Sequence, residues 1–140
     1  MKIALVVVGE TQSREVESLM NEYVKRLSHY SSFELVATSE DKLEKTLAKY
    51  ERICLLEEIG KTMSSKEFAG FIDNQMRQGA NNVAFVIGGP FGFTPEIKAL
   101  SDSNISLSKM TFPHDLVRVI FLEQLYRAFT ILKNEKYHHE

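Results

Sequence analysis

The chain has 140 residues, of which 44% are hydrophobic and 26% are charged, as is usual for one soluble globular domain. Its net charge is −2 and it has no basic block, which disfavours a general nucleic-acid-binding surface. Any RNA would have to be met by a local patch or by a surface that a second subunit completes. No apolar run approaches the roughly 18 residues that span a bilayer, and the first eight residues lack a signal-peptide cleavage site. We therefore expect a cytoplasmic protein with no membrane partner.

The first half of the chain alternates between short apolar runs and amphipathic segments. The apolar runs predict strands at Ile3 to Val8, Phe33 to Ala37 and Ile53 to Leu56, and the amphipathic segments predict helices at Arg14 to Leu27 and Asp41 to Tyr50. A loop is expected over Glu57 to Met63, followed by a helix that begins at the capping-box pair Ser64 and Glu67 and continues towards Gly79. The only cysteine, Cys54, lies in the third strand, where a buried apolar role is expected.

The stretch Val83 to Thr94, with the sequence VAFVIGGPFGFT, is the most informative part of the chain. Its apolar, β-branched first half predicts a strand buried on both faces of a parallel sheet. Three glycines follow within five residues. A glycine loop after a buried strand is where open α/β sheets hold ligands, although a tight connection without a ligand fits the loop equally well. The loop lacks the Lys-Ser/Thr of a phosphate loop, which disfavours nucleoside triphosphate chemistry.

The pattern after this loop completes an α/β fold. Thr94 and Pro95 predict a helix start, and the helix is expected to end near Ser101. A weak strand is predicted at Ile105 to Ser108, followed by a loop to Pro113. We thus predict a single domain over residues 1–140, an α/β fold with a mainly parallel sheet and helices on both faces. No Cys/His cluster has zinc spacing, so no metal is expected.

The last predicted helix, from about His114 to Asn134, is apolar over an unusually wide arc. Such an arc exceeds what one sheet face would cover, and the simplest second burial surface is a two-fold dimer contact. Arg118 projects into the middle of the arc. A buried guanidinium there predicts either a site or interface role or a structural ion pair.

The chain ends in Tyr137-His138-His139-Glu140. A polar terminal tail is most often disordered, and two adjacent histidines are weak evidence for a metal site. An aromatic residue with histidines also provides what is needed to stack on a base and to move a proton near neutral pH.

Several ordered motifs of this chain resemble the RlmH family, SPOUT-class methyltransferases that modify N3 of a pseudouridine in 23S ribosomal RNA. They are VIGGPFG at residues 86–92, LSKMTFPH at 107–114, VR at 117–118, EQLYRA at 123–128 and the terminal YHHE. The resemblance implies a C-terminal trefoil knot, a homodimer, the ribosome or its 23S rRNA as the partner, and S-adenosyl-L-methionine as the cofactor. It places the cofactor against Leu56, Gly88, Leu107, Ser108, Lys109, Met110, Thr111 and Phe112. The dimer would bring the tail of one subunit near the cofactor of the other.

The implied reaction is attack of a ring nitrogen on a sulfonium methyl, and the N3 proton must be lost. His138 is the first candidate base and His114 the second, with Tyr137 and Arg118 as substrate-positioning groups. The segment from Ala37 to Arg52 is shorter than is typical of the family. The alternative is therefore a non-catalytic knotted α/β module that binds RNA or a nucleotide-like metabolite.

Overall fold

Five parallel strands form one sheet in the computed structural model, which describes residues 1–139. The strands are β1 (Lys2–Val8), β2 (Ser32–Thr38), β3 (Arg52–Thr62), β4 (Asn82–Ile87) and β5 (Ser103–Ser106). Their order is β2-β1-β4-β3-β5, and each neighbouring pair is parallel. The predicted α/β class with a parallel sheet is confirmed, while the trefoil knot stays a prediction.

Helices cover both faces of this sheet, as predicted. They are α1 (Arg14–Leu27), α2 (Leu43–Leu47), α3 (Ser65–Arg77), α4 (Pro95–Leu100) and α5 (His114–Leu132). Alternate residues of β1 enter two different cores, because successive side chains of a strand point to opposite faces. Ile3, Leu5 and Val7 pack with residues of α1, α3 and α5. Ala4, Val6 and Val8 pack with residues of α2 and α4.

Hydroxyl caps start three of the helices. Ser13 accepts from the Val16 amide before α1, and Ser64 forms the predicted capping box with Glu67 before α3. Thr94 accepts from the Ile97 amide before α4, with Pro95 at the first helical position. These local signals explain why the helix starts could be read from the sequence.

The third strand is longer than predicted, and this changes the shape of the sheet edge. The predicted loop over Glu57 to Met63 was wrong in part, since β3 continues to Thr62. Ile105 of β5 pairs with both Leu56 and Lys61, so residues 57–60 bulge out of the ladder between them. The last strand also begins earlier than predicted, at Ser103, because Asp102 already exchanges hydrogen bonds with Ile53 at 2.8 Å in each direction. Leu107 and Ser108 therefore follow the strand.

Two predicted helix bounds needed correction, and the predicted end of the third helix near Gly79 agrees with the structure. The segment predicted as a helix from Asp41 to Tyr50 is a 3₁₀ turn at Glu40–Lys42 followed by α2. Its end is fixed by Asn82, whose side chain accepts from the Glu51 amide and donates to the Lys49 carbonyl. The third helix ends at Arg77, before Gly79 with φ +76°. The last helix ends at Leu132, before Asn134 with φ 55°.

The last helix lies between two other helices and over the sheet. Phe121 contacts Phe68 of α3 and Phe85 of β4, with ring centroids 6.0 and 4.9 Å apart. Tyr126 contacts Tyr23 of α1 at 6.0 Å. The wide apolar arc of α5 is therefore covered from three sides within one chain, so the arc by itself does not require a dimer. The homodimer stays a prediction.

None of the helices within residues 1–139 is long and apolar enough to cross a membrane. Cys54 is 1% exposed, as predicted, and burial raises the pKa of its thiol to about 12. A thiol in this state is protonated at neutral pH and unreactive.

Candidate functional site

A cleft of about 390 Å³ opens at the carboxyl end of β4, beside the bulge of β3. Three segments form its walls, namely the bulge of β3, the glycine loop after β4 and the loop after β5. This is the edge of a parallel sheet at which α/β proteins bind ligands, and the volume is typical of a small-molecule site. The lining residues are Leu56, Glu57, Glu58, Ile59, Ile87, Gly88, Gly89, Pro90, Phe91, Gly92, Phe93, Lys98, Leu107, Ser108, Met110, Phe112, His114 and Val117.

The glycine loop forms a tight turn over residues 89–92. The Gly92 amide donates to the Gly89 carbonyl at 3.1 Å, with Pro90 and Phe91 at the two central positions. Phe91 has a negative φ and Gly92 a φ of +74°, which fits a type I turn closed by a glycine. A Cβ added to Gly88 would lie 3.0 Å from the Phe93 ring. Any side chain at Gly88 would therefore push Phe93, which is itself a wall of the cleft.

Hydrogen bonds tie the bulge of β3 to β5 and to the loop after β5. The Thr111 hydroxyl donates to Glu58 of the bulge at 3.1 Å, and Asn104 of β5 donates to Glu57 at 2.9 Å. Within the loop after β5, Ser108 accepts from the Met110 amide at 3.0 Å. These bonds fix the separation of the walls without a ligand.

Six of the eight residues predicted to bind the cofactor line this one cleft: Leu56, Gly88, Leu107, Ser108, Met110 and Phe112. Lys109 and Thr111 are not lining residues, and Thr111 instead holds Glu58. Sequence reasoning missed Glu57, Glu58 and Ile59, because that segment was taken for an ordinary loop. Two carboxylates that directly follow a buried strand were the signal that could have found them.

His114 is the one predicted catalytic residue that reaches the cleft. One of its ring nitrogens, Nδ1, lies 3.3 Å from an Arg118 nitrogen, and the other, Nε2, lies 3.1 Å from the Gly88 carbonyl oxygen. A guanidinium can only donate, so Nδ1 accepts and Nε2 carries the proton that it donates to Gly88. Both nitrogens are then engaged, and this arrangement leaves His114 no lone pair with which to act as a base.

Arg118 is 0% exposed, which is incompatible with a direct substrate contact in this structure. It donates to the Val8 carbonyl and the Thr11 hydroxyl, each at 3.0 Å, as well as to His114. No carboxylate within residues 1–139 lies at ion-pair distance from it, so the alternative of a structural ion pair was wrong. Burial lowers the pKa of the guanidinium, and the nearby negative charge of Asp115 offsets only part of this shift. Arg118 thus joins the first strand's end to His114 and, through it, to Gly88.

Asp115 adds a second link to the same region. Its carboxylate accepts from the Gln12 amide at 3.0 Å and from the Ser13 amide at 2.7 Å. The hydrogen bond from Ser13 holds the pKa of Asp115 below its usual value. The first turn of α5 therefore holds two segments in place: Asp115 binds the segment before α1, and His114 binds the glycine loop.

The tail docks on its own last helix and not in the cleft. Tyr137 donates to Glu123 at 2.8 Å, and Arg127 lies 3.0 Å from Nδ1 of His138 and 4.8 Å from the Tyr137 ring centre. Neither Tyr137 nor His138 lines the cleft. Burial, together with hydrogen bonds to Tyr23 and Glu123, raises the pKa of Tyr137, so its phenol stays protonated and acts as a donor. Glu140 of the predicted tail site lies outside the described residues.

The described part of the chain contains no group of three or more His, Cys, Asp or Glu side chains placed to hold a metal ion.

Solved structures with this fold include two bacterial proteins of low sequence identity. A probable methylase family protein from Haemophilus influenzae matches with a TM-score of 0.65 at 12% identity, covering 99% of this chain and 70% of the other. A probable methyltransferase from Bordetella pertussis matches with a TM-score of 0.62 at 13% identity, covering 91% and 95%. At such identities, these matches establish the fold only.

Relatives at higher identity cover the whole chain. Proteins described as ribosomal RNA large subunit methyltransferase H are 44% identical in Christiangramia forsetii and 43% identical in Coprothermobacter proteolyticus, each over 99% of both chains. A protein of the same description in Porphyromonas gingivalis is 41% identical over all of both chains. The Coprothermobacter alignment has 138 positions, so that relative is as short as this chain. The short form is therefore not peculiar to this sequence.

The family model described as "Predicted SPOUT methyltransferase" matches residues 1–138. This match spans nearly the whole chain and agrees with the relatives, so the resemblance read from the sequence motifs is confirmed. The chain belongs to the SPOUT methyltransferase family.

Proposed function

We propose that this protein transfers the methyl group of S-adenosyl-L-methionine to N3 of a pseudouridine in the ribosomal RNA of the large subunit, as a homodimer. The observation that carries the proposal is the full-length likeness to proteins described as ribosomal RNA large subunit methyltransferase H, at about 40% identity. The cleft supports it independently, because segments far apart in the sequence meet there around one cavity.

The residues of the cleft fit this cofactor. Leu56, Leu107 and Phe112 offer apolar contacts for an adenine ring. Gly88 lines the same cleft, and because it has no side chain, a ligand can approach its main chain closely. Glu57 and Glu58 supply carboxylate oxygens that can accept from ribose hydroxyls or an amino group. The cofactor would supply a methyl group on a positively charged sulfur. The protein's own part is to hold donor and acceptor in line, which converts an encounter into an intramolecular step.

Removal of the N3 proton requires a base near the cleft, and the hydrogen bonds of this chain disfavour two of the candidate residues. His114 has both nitrogens engaged, and the phenol of Tyr137 is held protonated. His138 remains the proposed base. Its Nδ1 accepts from Arg127 at 3.0 Å, so this hydrogen bond has to be released before that nitrogen can take a proton. Because Tyr137 and His138 do not line the cleft of their own chain, we infer that His138 acts in the cleft of the second subunit, with Tyr137 as a hydrogen-bond donor beside it. Arg118 acts indirectly, by positioning His114 and the Gly88 carbonyl.

The alternative of a non-catalytic module rested on the short segment between Ala37 and Arg52. A relative of about equal length carries the methyltransferase description, so the short segment is no longer a reason to prefer a non-catalytic module.

A direct test is methyl transfer by the purified protein to large ribosomal subunits from cells that lack it, with tritiated S-adenosyl-L-methionine. The expected result is incorporation of the labelled methyl group into a pseudouridine of the large-subunit RNA. Wild-type protein that binds the cofactor and transfers no methyl would overturn the proposed activity.

A further inference from the structure

Three apolar side chains stand exposed at the mouth of the cleft. Ile59 is 80% exposed, Phe91 96% and Met110 75%, and all three line the cavity. The other large exposed hydrophobic residues of the described chain, such as Leu19 and Leu116, are only 37–44% exposed. Scattered apolar residues on a surface are normal, but a cluster around one opening marks a binding surface.

Phe91 is the most exposed of the three, and it is held on a rigid support. It occupies a central position of the turn closed by the Gly92-to-Gly89 hydrogen bond, with the fixed ring of Pro90 before it. The neighbouring Phe93 is a wall of the cleft and packs with the core beneath α2 and α4. A flat ring presented in this way loses little conformational entropy when another flat group stacks on it.

An exposed amine beside the mouth favours a nucleic acid base over a second copy of the chain. Lys109 is exposed in the loop next to Met110, and its amine suits a phosphodiester backbone beside the apolar ring. Lys98 also lines the cleft, but its amine is paired with Glu57 at 4.0 Å, so Lys109 is the better placed of the two for a phosphate. The chain as a whole has a net charge of −2, so phosphate contacts can supply only part of the affinity for RNA. Stacking, which works with any base, can supply the remainder.

We propose that Phe91 is a substrate-positioning residue on which an unpaired nucleobase of the ribosomal RNA stacks at the mouth of the cleft. Ile59 and Met110, which line the same cavity, would shield a stacked base from water. This inference rests on the proposed function for the identity of its occupant. It makes the glycine loop part of the RNA site as well as a wall of the cofactor site.

The test compares F91A, F91L and F91Y in binding and methylation of large ribosomal subunits purified from cells lacking the protein. Stacking requires a ring, so F91Y is expected to resemble wild type. F91A and F91L should weaken RNA binding and raise KM by roughly 5- to 150-fold. Affinity for S-adenosyl-L-methionine and the oligomeric state, by calorimetry and light scattering, should not change in any variant.

A direct optical readout is also possible, because the chain contains no tryptophan. F91W places a single indole at the platform, and its fluorescence should be quenched when the subunits are added. M76W, on α3 and outside the cleft lining, is the control and should show little quenching.

The outcomes separate this inference from the proposed function. Wild-type protein that binds RNA but does not methylate it would refute the function, while the binding of the Phe91 variants still decides the inference. The inference is overturned if F91L binds RNA as well as F91Y. It is also overturned if F91A chiefly weakens cofactor binding, or if it dissociates the oligomer. Weakened cofactor binding would make Phe91 a cover over the cofactor. Dissociation of the oligomer would make it a contact between copies of the chain.

Discussion

Gly60 is the residue at which the structure makes its sharpest quantitative prediction. A Cβ at this position would lie 2.7 and 2.8 Å from backbone atoms of Ile105, against 3.4–4 Å for ordinary contacts. The backbone of β5 would have to retreat by roughly 0.6 Å, since backbone cannot swing aside like a side chain. Gly60→Ala should therefore loosen the pairing of β3 with β5 just where the bulge and the following loop form two walls of the cleft.

The expected cost follows from overpacking and from weakened ladder hydrogen bonds. Overpacking of this kind costs about 1–3 kcal/mol, and weakened hydrogen bonds contribute about 1 kcal/mol more. A loss of about 3 kcal/mol would lower the melting temperature by roughly 6–12 °C in a domain of this size. Most domains have about 5–15 kcal/mol of stability, so we expect the variant to fold. Its affinity for S-adenosyl-L-methionine should fall, because the walls no longer hold their separation.

Gly70→Ala is the matched control. Gly70 lies within α3, is exposed, and has open space where its Cβ would be. The same chemical change there should stabilise the protein by about 0.4–1 kcal/mol and leave cofactor binding unchanged. Thermal unfolding and calorimetry measure both quantities. If Gly60→Ala melts within a degree of wild type and binds the cofactor equally well, the bulge does not lie against Ile105 as described.

Three further predictions concern the cofactor, the tail and the buried thiol. Gly88→Val should abolish detectable binding of S-adenosyl-L-methionine in calorimetry, because its Cβ would lie 3.0 Å from the Phe93 ring; normal binding would remove Gly88 from the site. Deletion of residues 137–140 should leave cofactor affinity largely unchanged and eliminate methylation of large subunits; a truncated protein that methylates normally would exclude the tail as the source of the base. The Cys54 pKa is raised from 9.0 to about 12 in the folded chain, so its thiol stays protonated there while the unfolded chain ionises. This contribution to stability is complete below pH 9.0 and is lost as the pH rises towards 12. Urea unfolding between pH 9 and 11 should show wild type losing up to about 1.4 kcal/mol per pH unit more than Cys54→Ala; parallel curves would contradict this.

Much of the fold could be predicted because its signals are local. The strand β4 is a short apolar run, and the caps at Ser13, Ser64 and Thr94 set the helix starts. The bulge could not be predicted, since residues 57–60 leave the ladder only because β5 pairs on both sides of them. The reach of β3 to Thr62 depends on the same non-local pairing.

The last helix shows how a correct pattern can support a weak conclusion. Its wide apolar arc is real, but α1, α3 and the sheet cover it within one chain. The hydrogen-bond partners of Arg118 likewise lie more than 100 residues away in the sequence; they are the Val8 carbonyl and the Thr11 hydroxyl. Sequence spacing placed Arg118 in the buried arc correctly, but it could not show that hydrogen bonds replace an ion pair there.

Mass spectrometry of 23S ribosomal RNA from cells lacking the protein can show whether this chain methylates a pseudouridine of the large-subunit RNA. We expect one methyl group to be missing from one pseudouridine in those cells, and we expect wild type, but not Gly88→Val, to restore it. Ribosomal RNA with an unchanged set of methylated pseudouridines in those cells would refute the proposed function.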